Sequence, residues 1–174
     1  MEEKSGDRES FTAWAAARRP RLLRTATFLT GDRGRAEDLV QEALTKVAQR
    51  WPRLREANPD AYARQILVRD NISWWRRTRF ELVSSVPDQG RTPPGDTDVE
   101  RRIVLLDALR RLTERQRAVL VLRYFEDLSE AEIAQALGVS AGTVKSTAHL
   151  ALRRLRELAP ELSQLSELLS LEIS

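Results

Sequence analysis

The apolar positions of this chain recur at helical spacing in two blocks, which are separated by a stretch without any apolar period. The first block predicts three helices, over Phe11–Leu29, Gly34–Arg50 and Asp60–Arg79, with a break or shift near Pro20 in the first of them. The second block predicts a helix over Val99–Leu112 and further helices after it. The pattern therefore predicts an all-α protein made of two small helical domains.

Composition changes sharply between and after these blocks. Residues 1–80 form the first predicted domain, residues 81–98 a linker rich in proline and glycine, and residues 99–160 the second domain. Residues 161–174 make a leucine-rich tail whose charges are all acidic. The tail could fold back, bind a partner or fray, and the pattern leaves these alternatives open.

The second domain contains a predicted helix-turn-helix. Ser129 and Glu132 stand in capping-box register, Gly138 follows the first short helix, and Ser140 is placed to cap the next one. The helix after Ser140 would then be a recognition helix that enters the major groove of DNA.

The outer face of that recognition helix is polar or cationic. We predict that its DNA-facing residues are Thr143, Lys145, Ser146, His149 and Arg153. An ordinary helical hairpin with a solvated outer face is the alternative. The absence of acidic residues from Ser140 to Arg156 favours DNA, because a solvated helix usually mixes both charge signs.

Two surfaces of the first domain have possible functions. The third helix is basic and contains two adjacent tryptophans, a combination that suits single-stranded nucleic acid because rings stack on bases while arginines bind phosphates. Alternatively, Trp74 or Trp75 belongs to the core, and we expect at least one of the pair to be buried. The outward residues of the second helix are an ordinary solvated surface or a docking face for a basic partner.

Composition excludes several function classes. The 174 residues carry a net charge of +3 with a pI near 9.8, include no cysteine and contain one histidine, so disulfides, thiolate metal sites and multi-histidine sites are excluded. No nucleophile–base pair, phosphate-binding glycine loop or metal-ligand cluster is recognisable, so the sequence predicts neither an enzyme nor a cofactor. No apolar run approaches about 18 residues and the N-terminus is not a signal peptide, so we expect a cytoplasmic protein without membrane contact.

Several strings together resemble a bacterial sigma factor of the extracytoplasmic-function type, over about residues 10–158. They are AEDLVQEAL at Ala36–Leu44, ISWWRR at Ile72–Arg77, LTERQRAVLVLRYFEDLSEAEIAQALGVS at Leu112–Ser140 and GTVKS at Gly142–Ser146. Their order and spacing are specific to the family, and the arginine excess is similar to that of SigE-like actinobacterial members.

The resemblance implies the partners and the site residues. The first domain would dock on RNA polymerase core and melt the −10 element, with Asp38, Gln41 and Glu42 against the β′ clamp helices. The β subunit would be a further contact, and a loop over Trp51–Asn58 would capture a flipped base that Asn58 reads. The residues expected along the −10 DNA are Arg64, Arg69, Asn71, Trp74, Arg76 and Arg77. The second domain would read the −35 element of promoter DNA.

One departure from the family and two other function classes remain open. Many relatives have arginine where this chain has Thr147, which puts the usual −35 preference in doubt. A free-standing helix-turn-helix regulator or a helical interaction protein would share part of the pattern. The sequence does not decide whether an anti-sigma factor binds this chain, nor does it identify the promoter.

Overall fold

The structure is a computed structural model that describes residues 2–78 and 97–160, with side chains over 6–77 and 101–160. The described residues form helices α1 to α8. Their bounds are α1 Glu2–Thr30, α2 Arg33–Gln49, α3 Trp51–Leu54, α4 Pro59–Thr78, α5 Thr97–Arg110, α6 Glu114–Leu120, α7 Glu130–Leu137 and α8 Ala141–Leu158. The predicted all-α class is thus confirmed. Arg79, most of the predicted linker (81–96) and the tail (161–174) lie outside the described residues.

The chain divides into two compact units within α4, between Asn71 and Ile72. In the first unit α1 packs along α2, and the core between the helices is almost entirely aliphatic. Ion pairs at its surface join α4 to its neighbours: Arg18 of α1 meets Asp60 at 2.8 Å, and Lys46 of α2 meets Asp70. The buried face of α2 consists of Ala36, Leu39, Val40, Ala43 and Val47, as its apolar spacing predicts, although Leu44 is only half-buried.

Helix α1 is longer than the sequence predicts and is not interrupted. It begins at Glu2 rather than Phe11 and continues through Pro20 without the predicted break. Proline removes one backbone N–H and leaves the carbonyl four residues earlier without its helical partner. Residues 16–21 are all exposed here, so water can satisfy that carbonyl and the helix is not interrupted.

Local capping begins and ends the next elements as predicted. Gly31 adopts a positive φ of 70° at the exit from α1, and Asp32 caps α2 by accepting a 2.7 Å hydrogen bond from the backbone N–H of Arg35. The segment after α2 differs from the predicted loop, since Trp51–Leu54 forms the single helical turn α3. Pro52 lies in its first turn, where a missing N–H costs no helical bond.

In the second unit α5, α6 and α7 all pack against α8. Thr113 begins α6 with the predicted capping box to Gln116, and α6 continues into a π-helical turn over Val121–Phe125. The core contains Leu105, Ala108, Leu109, Leu112, Val119, Leu122, Phe125, Ile133, Val144, Ala151 and Leu155.

The apolar spacing of α5 predicts that Ile103, Leu106, Leu109 and Leu112 face the core. Leu109 and Leu112 are buried as predicted and Leu106 is half-buried, but the prediction is wrong for Ile103. Its exposed fraction is 44%, whereas Leu105, Ala108 and Leu109 are buried. Leu105 and Ala108 are also at helical spacing from Leu109 and Leu112, so periodicity did not decide whether they or Ile103 would be covered.

Candidate nucleic-acid and polymerase interfaces

Three local capping residues determine where the two helices of the helix-turn-helix begin and end. Ser129 begins α7 with a reciprocal capping box: its hydroxyl accepts from the Glu132 backbone N–H at 3.3 Å, and the Glu132 carboxylate accepts from the Ser129 N–H at 2.9 Å. Gly138 ends α7 with φ 66° and ψ 40°, in the left-handed region that favours glycine. Ser140 then caps α8 by accepting from the Thr143 N–H at 3.1 Å. All three predictions are confirmed.

The outer face of α8 exposes Lys145, Ser146, His149 and Arg153, while Val144, Ala151 and Leu155 lie in the core. This division separates a cationic and polar face from an apolar face along one helix. Acidic side chains are absent from its first turn, so nothing there opposes the positive end of the helix dipole.

Thr143 occupies a different position from the other four candidates. Its side chain is half-buried, and its Oγ1 lies 2.9 Å from the Ser140 Oγ, so it supports the cap of α8. Thr147 is also half-buried, beside the packed face rather than in the middle of the exposed one.

Arg117, which the sequence pattern did not identify as a buried residue, forms hydrogen bonds with the turn before α6. Arg117 is 2% exposed and donates to three carbonyls: Leu109 at 2.8 Å, Arg110 at 3.0 Å and Leu112 at 3.3 Å. Leu109 and Arg110 are the last residues of α5, and Leu112 lies in the turn after it. The Leu109 carbonyl also accepts from the Leu112 backbone N–H at 3.1 Å, so Arg117 adds a second donor there. Arg117 thereby fixes α5 relative to α6, the helix on which α8 packs.

The basic residues of α4 do not all lie at the surface. Arg69, Arg76 and Arg77 are exposed, whereas Arg64 is half-buried. Asn71 is a correction: it is 1% exposed and its side-chain N–H₂ donates to the Leu29 carbonyl at 3.4 Å. A side chain enclosed in the first unit cannot line DNA, so Asn71 is removed from the candidate −10 residues.

The expectation that at least one tryptophan of α4 is buried is wrong. Trp74 and Trp75 are both half-buried, so neither is fully in the core. Their rings meet edge to face, with centroids 5.2 Å apart and planes at 81°. This packing orients both indoles while part of each surface stays accessible.

Asn58 lies at the surface between α3 and α4. Its side-chain oxygen accepts a 2.9 Å hydrogen bond from the Ala61 backbone N–H, which makes Asn58 the cap of α4. The cap holds the side chain in one orientation at the end of the Trp51–Asn58 segment. Its amide N–H₂ group is the part that remains for recognition.

The three candidate docking residues of α2 share one exposed face. Asp38, Gln41 and Glu42 are spaced at positions i, i+3 and i+4, and all three are exposed. Neither carboxylate forms an ion pair within the described part of the first unit, whereas neighbouring Glu37 pairs with Arg33 at 3.1 Å. The face therefore presents uncompensated negative charge.

The described ranges lack two other features, a metal-binding cluster and a membrane-spanning helix. Over residues 2–78 and 97–160 they hold no group of three or more histidine or acidic residues suited to a metal ion. Within the same ranges, every helix is too short or too polar to cross a lipid bilayer.

Two family models match this chain, and each match covers one of the candidate surfaces. Sigma-70 region 2 matches residues 14–81, which include α2 to α4, and Sigma-70 region 4 matches residues 102–155, which include the helix-turn-helix. A region 2 followed by a region 4 defines the class of protein as a sigma-70 transcription initiation factor.

Two curated relatives narrow the assignment to a family within this class. It is 40% identical to the RNA polymerase sigma-E factor of Streptomyces coelicolor over 87% of each chain. It is 38% identical to the ECF RNA polymerase sigma factor SigL of Mycobacterium tuberculosis, over 81% of this chain and 84% of the relative. The chain thus belongs to the extracytoplasmic-function family of RNA polymerase sigma factors.

A solved structure agrees with this assignment. The sigma factor RpoE of Bartonella quintana, in complex with the anti-sigma factor NepR, matches with a TM-score of 0.72 at 26% identity. The match covers 87% of this chain and 98% of RpoE, so the shared fold extends over both regions.

Proposed function

We propose that this chain binds RNA polymerase core through the acidic face of α2 and directs initiation at promoters whose −35 element is read by α8. The observation that supports this most strongly is the exposed face of α8. Lys145, His149 and Arg153 lie on that face, and two side-chain caps hold the helix in a helix-turn-helix. Such a helix places its first turns against base edges in the major groove.

The proposed −35 contacts divide into two kinds. Lys145 and Arg153 supply positive charge for phosphates, which adds affinity without sequence preference. Ser146 and His149 are the exposed polar side chains between them that can hydrogen-bond to base edges. Thr143 acts through the Ser140 cap, because its hydroxyl is already engaged there.

Helices α2 and α4 supply the proposed polymerase and −10 contacts. Asp38, Gln41 and Glu42 form the docking face, because exposed unpaired carboxylates complement a basic partner surface and speed encounter. Among the α4 residues, Arg69, Arg76 and Arg77 are exposed for the phosphates of the −10 strand. Trp74 and the half-buried Arg64 present less surface, so we give them secondary roles in that contact.

The Trp51–Asn58 segment is the proposed site for a flipped base of the −10 element. Unpairing and unstacking a base costs a few kcal/mol, which a preformed pocket and stacking must offset. Asn58 is held by its cap at the end of this segment, so its amide is oriented before DNA arrives.

Run-off transcription with purified core polymerase tests the proposal. We expect specific transcripts from cognate promoters only when core and this chain are both present, and weak duplex binding by the chain alone. Tight sequence-specific binding without core would instead indicate a free-standing regulator. Failure to bind core at all would overturn the proposal.

The RpoE structure contains its anti-sigma factor, and we propose a protein of that kind as the regulatory partner of this chain. We also place the chain in the cytoplasm, where its polymerase partner acts. Co-purification of the full chain with genome-encoded small proteins, followed by inhibition of run-off transcription, would test this partner.

A further inference from the structure

Four residues near the start of α1 contact the short helix α3. The Asp7 carboxylate forms an ion pair with the Arg55 guanidinium, and the Ser10 hydroxyl accepts a 2.8 Å hydrogen bond from the Trp51 indole N–H. The rings of Phe11 and Trp14 lie 5.5 Å and 5.3 Å from the Trp51 ring. Because these four residues follow the spacing i, i+3, i+4 and i+7, they form one side of the helix, which we name the α1 stripe.

The α1 stripe holds a segment that has little stability of its own. Helix α3 contains four residues and has no side-chain hydrogen bond at its N-cap. A single helical turn is unstable in isolation, because nucleation fixes several backbone angles for one hydrogen bond. Trp51 is nevertheless 5% exposed, and the rings of Phe11 and Trp14 of the α1 stripe lie against it.

We propose that Asp7, Ser10 and Phe11 are positioning residues for recognition of the −10 element. They act through Trp51 and Arg55, which stand at the two ends of the turn that leads into Asn58. This inference rests on the proposed role of the Trp51–Asn58 segment in capturing a base. All three residues precede residue 14, where the match to Sigma-70 region 2 begins.

The physical reason is preorganisation. A segment that is mobile before binding must be ordered when it takes the base, and that loss of freedom weakens the complex. A segment already fixed by an ion pair, a hydrogen bond and two edge-to-face or tilted ring contacts avoids this loss. The α1 stripe should therefore affect capture of the base and leave docking on core polymerase unchanged, since the α2 face lies on another helix.

The test measures binding of a single-stranded −10 oligonucleotide to the full chain assembled with core polymerase. Each variant is titrated with the intact oligonucleotide and with one that is abasic at the captured position. Asp7→Arg should lower affinity for the intact strand about fivefold and leave affinity for the abasic strand nearly unchanged. Ser10→Ala should act in the same direction, because it leaves the buried indole N–H unpaired.

Two controls separate positioning from general effects. Asp7→Glu keeps the negative charge and should retain most of the discrimination between intact and abasic strands. Thr12→Ala changes an exposed residue of the same helix, whose hydroxyl bonds only to the Arg8 carbonyl of its own helix at 2.8 Å, and should have no effect.

The outcomes distinguish this inference from the proposed function. One contrary result is that the Asp7→Arg variant discriminates between the intact and abasic strands as well as the unaltered chain does. Another is that it loses affinity for both strands equally. Either result would show that the α1 stripe has no positioning role. If the unaltered chain itself fails to discriminate, the base-capture role of the Trp51–Asn58 segment is wrong and the inference fails with it. Core binding, measured in parallel for every variant, confirms that the chain is folded.

Discussion

The Nε–H of Arg117 donates to the carbonyl of Leu109 at 2.8 Å, and this buried hydrogen bond joins the end of α5 to the middle of α6. Burial lowers the pKa of Arg117 to about 10, which is still far above neutrality, so the guanidinium stays charged in the cell. A charged group in the core is stabilised when its donors are paired, as they are here with three carbonyls.

Replacing Arg117 should destabilise the second unit although the residue is remote from DNA. Arg117→Lys keeps the charge but cannot reproduce the planar fork of donors, so at least one carbonyl loses its partner. We expect a loss of about 2–3 kcal/mol in the free energy of unfolding, measured by urea denaturation. Arg115→Lys, at an exposed position of the same helix, is the matched control and should change stability by less than about 0.5 kcal/mol.

The lowered pKa of Arg117 also predicts how the free energy of unfolding depends on pH. The folded chain would lose the Arg117 proton at lower pH than the unfolded chain, so unfolding takes up protons only between those two pKa values and stability would rise with pH there. That window lies above about pH 10. Arg117 should therefore add no pH dependence between about pH 6 and 8, and the loss caused by Arg117→Lys should be constant across that range.

The exposed cations of α8 should control the salt dependence of −35 binding. Each phosphate contact contributes about 0.9 to the slope of log affinity against log salt concentration. Removing Lys145 and Arg153 together should lower the slope by up to about 1.8, measured by titrating holoenzyme with −35 duplex at several salt concentrations. Arg154→Ala is the control, because Arg154 is paired with Glu157 at 3.0 Å; an equal change in that variant would contradict the assignment.

Charge reversal on the acidic face of α2 should weaken docking. Asp38→Lys combined with Glu42→Lys places like charges against the basic surface of the partner, and we expect affinity for core polymerase to fall at least about tenfold. Glu37→Lys changes a neighbouring exposed carboxylate that is already paired with Arg33, so its effect should be smaller. Equal core binding by the double variant in a fluorescence titration would exclude this face.

Asn58 allows its capping role to be separated from its proposed recognition role. Asn58→Ala removes the cap and should lower the free energy of unfolding by about 1 kcal/mol. Asn58→Asp keeps a capping oxygen but loses the amide donors, so stability should be retained while discrimination at the captured base is lost. Promoter opening, followed by permanganate footprinting, measures the second effect; full opening by Asn58→Asp would show that the amide reads no base.

Local signals in the sequence were enough to locate much of the fold. Ser129 with Glu132, Thr113 with Gln116 and the glycine at 138 act on backbone groups within a few residues of themselves. Their effect does not depend on the rest of the chain, so the turn and both helix starts of the candidate DNA-binding site were predictable. The acidic face of α2 was predictable for the same reason, because a helix separates its faces by spacing alone.

Features that depend on partners far away in the chain were missed. Asn71 has a polar side chain of a type that is usually exposed. Its amide nevertheless donates a hydrogen bond to a carbonyl of α1 forty-two positions earlier, and the residue is buried. Ile103 is at helical spacing from the buried Leu109 and Leu112, yet it is exposed, whereas Leu105 and Ala108 are buried. Neither outcome is determined by the residues next to it in sequence.

The sequence by itself determined the helical class, the caps, the turn of the helix-turn-helix and the signs of the exposed charges, since all of these arise within one or two helical turns. Only the tertiary structure decided which side of α5 is covered, that Asn71 is enclosed, and that Asp7 and Ser10 hold Arg55 and Trp51. The contacts of Asn71, Asp7 and Ser10 join residues more than forty positions apart. Such contacts stabilise the protein only once the helices have packed.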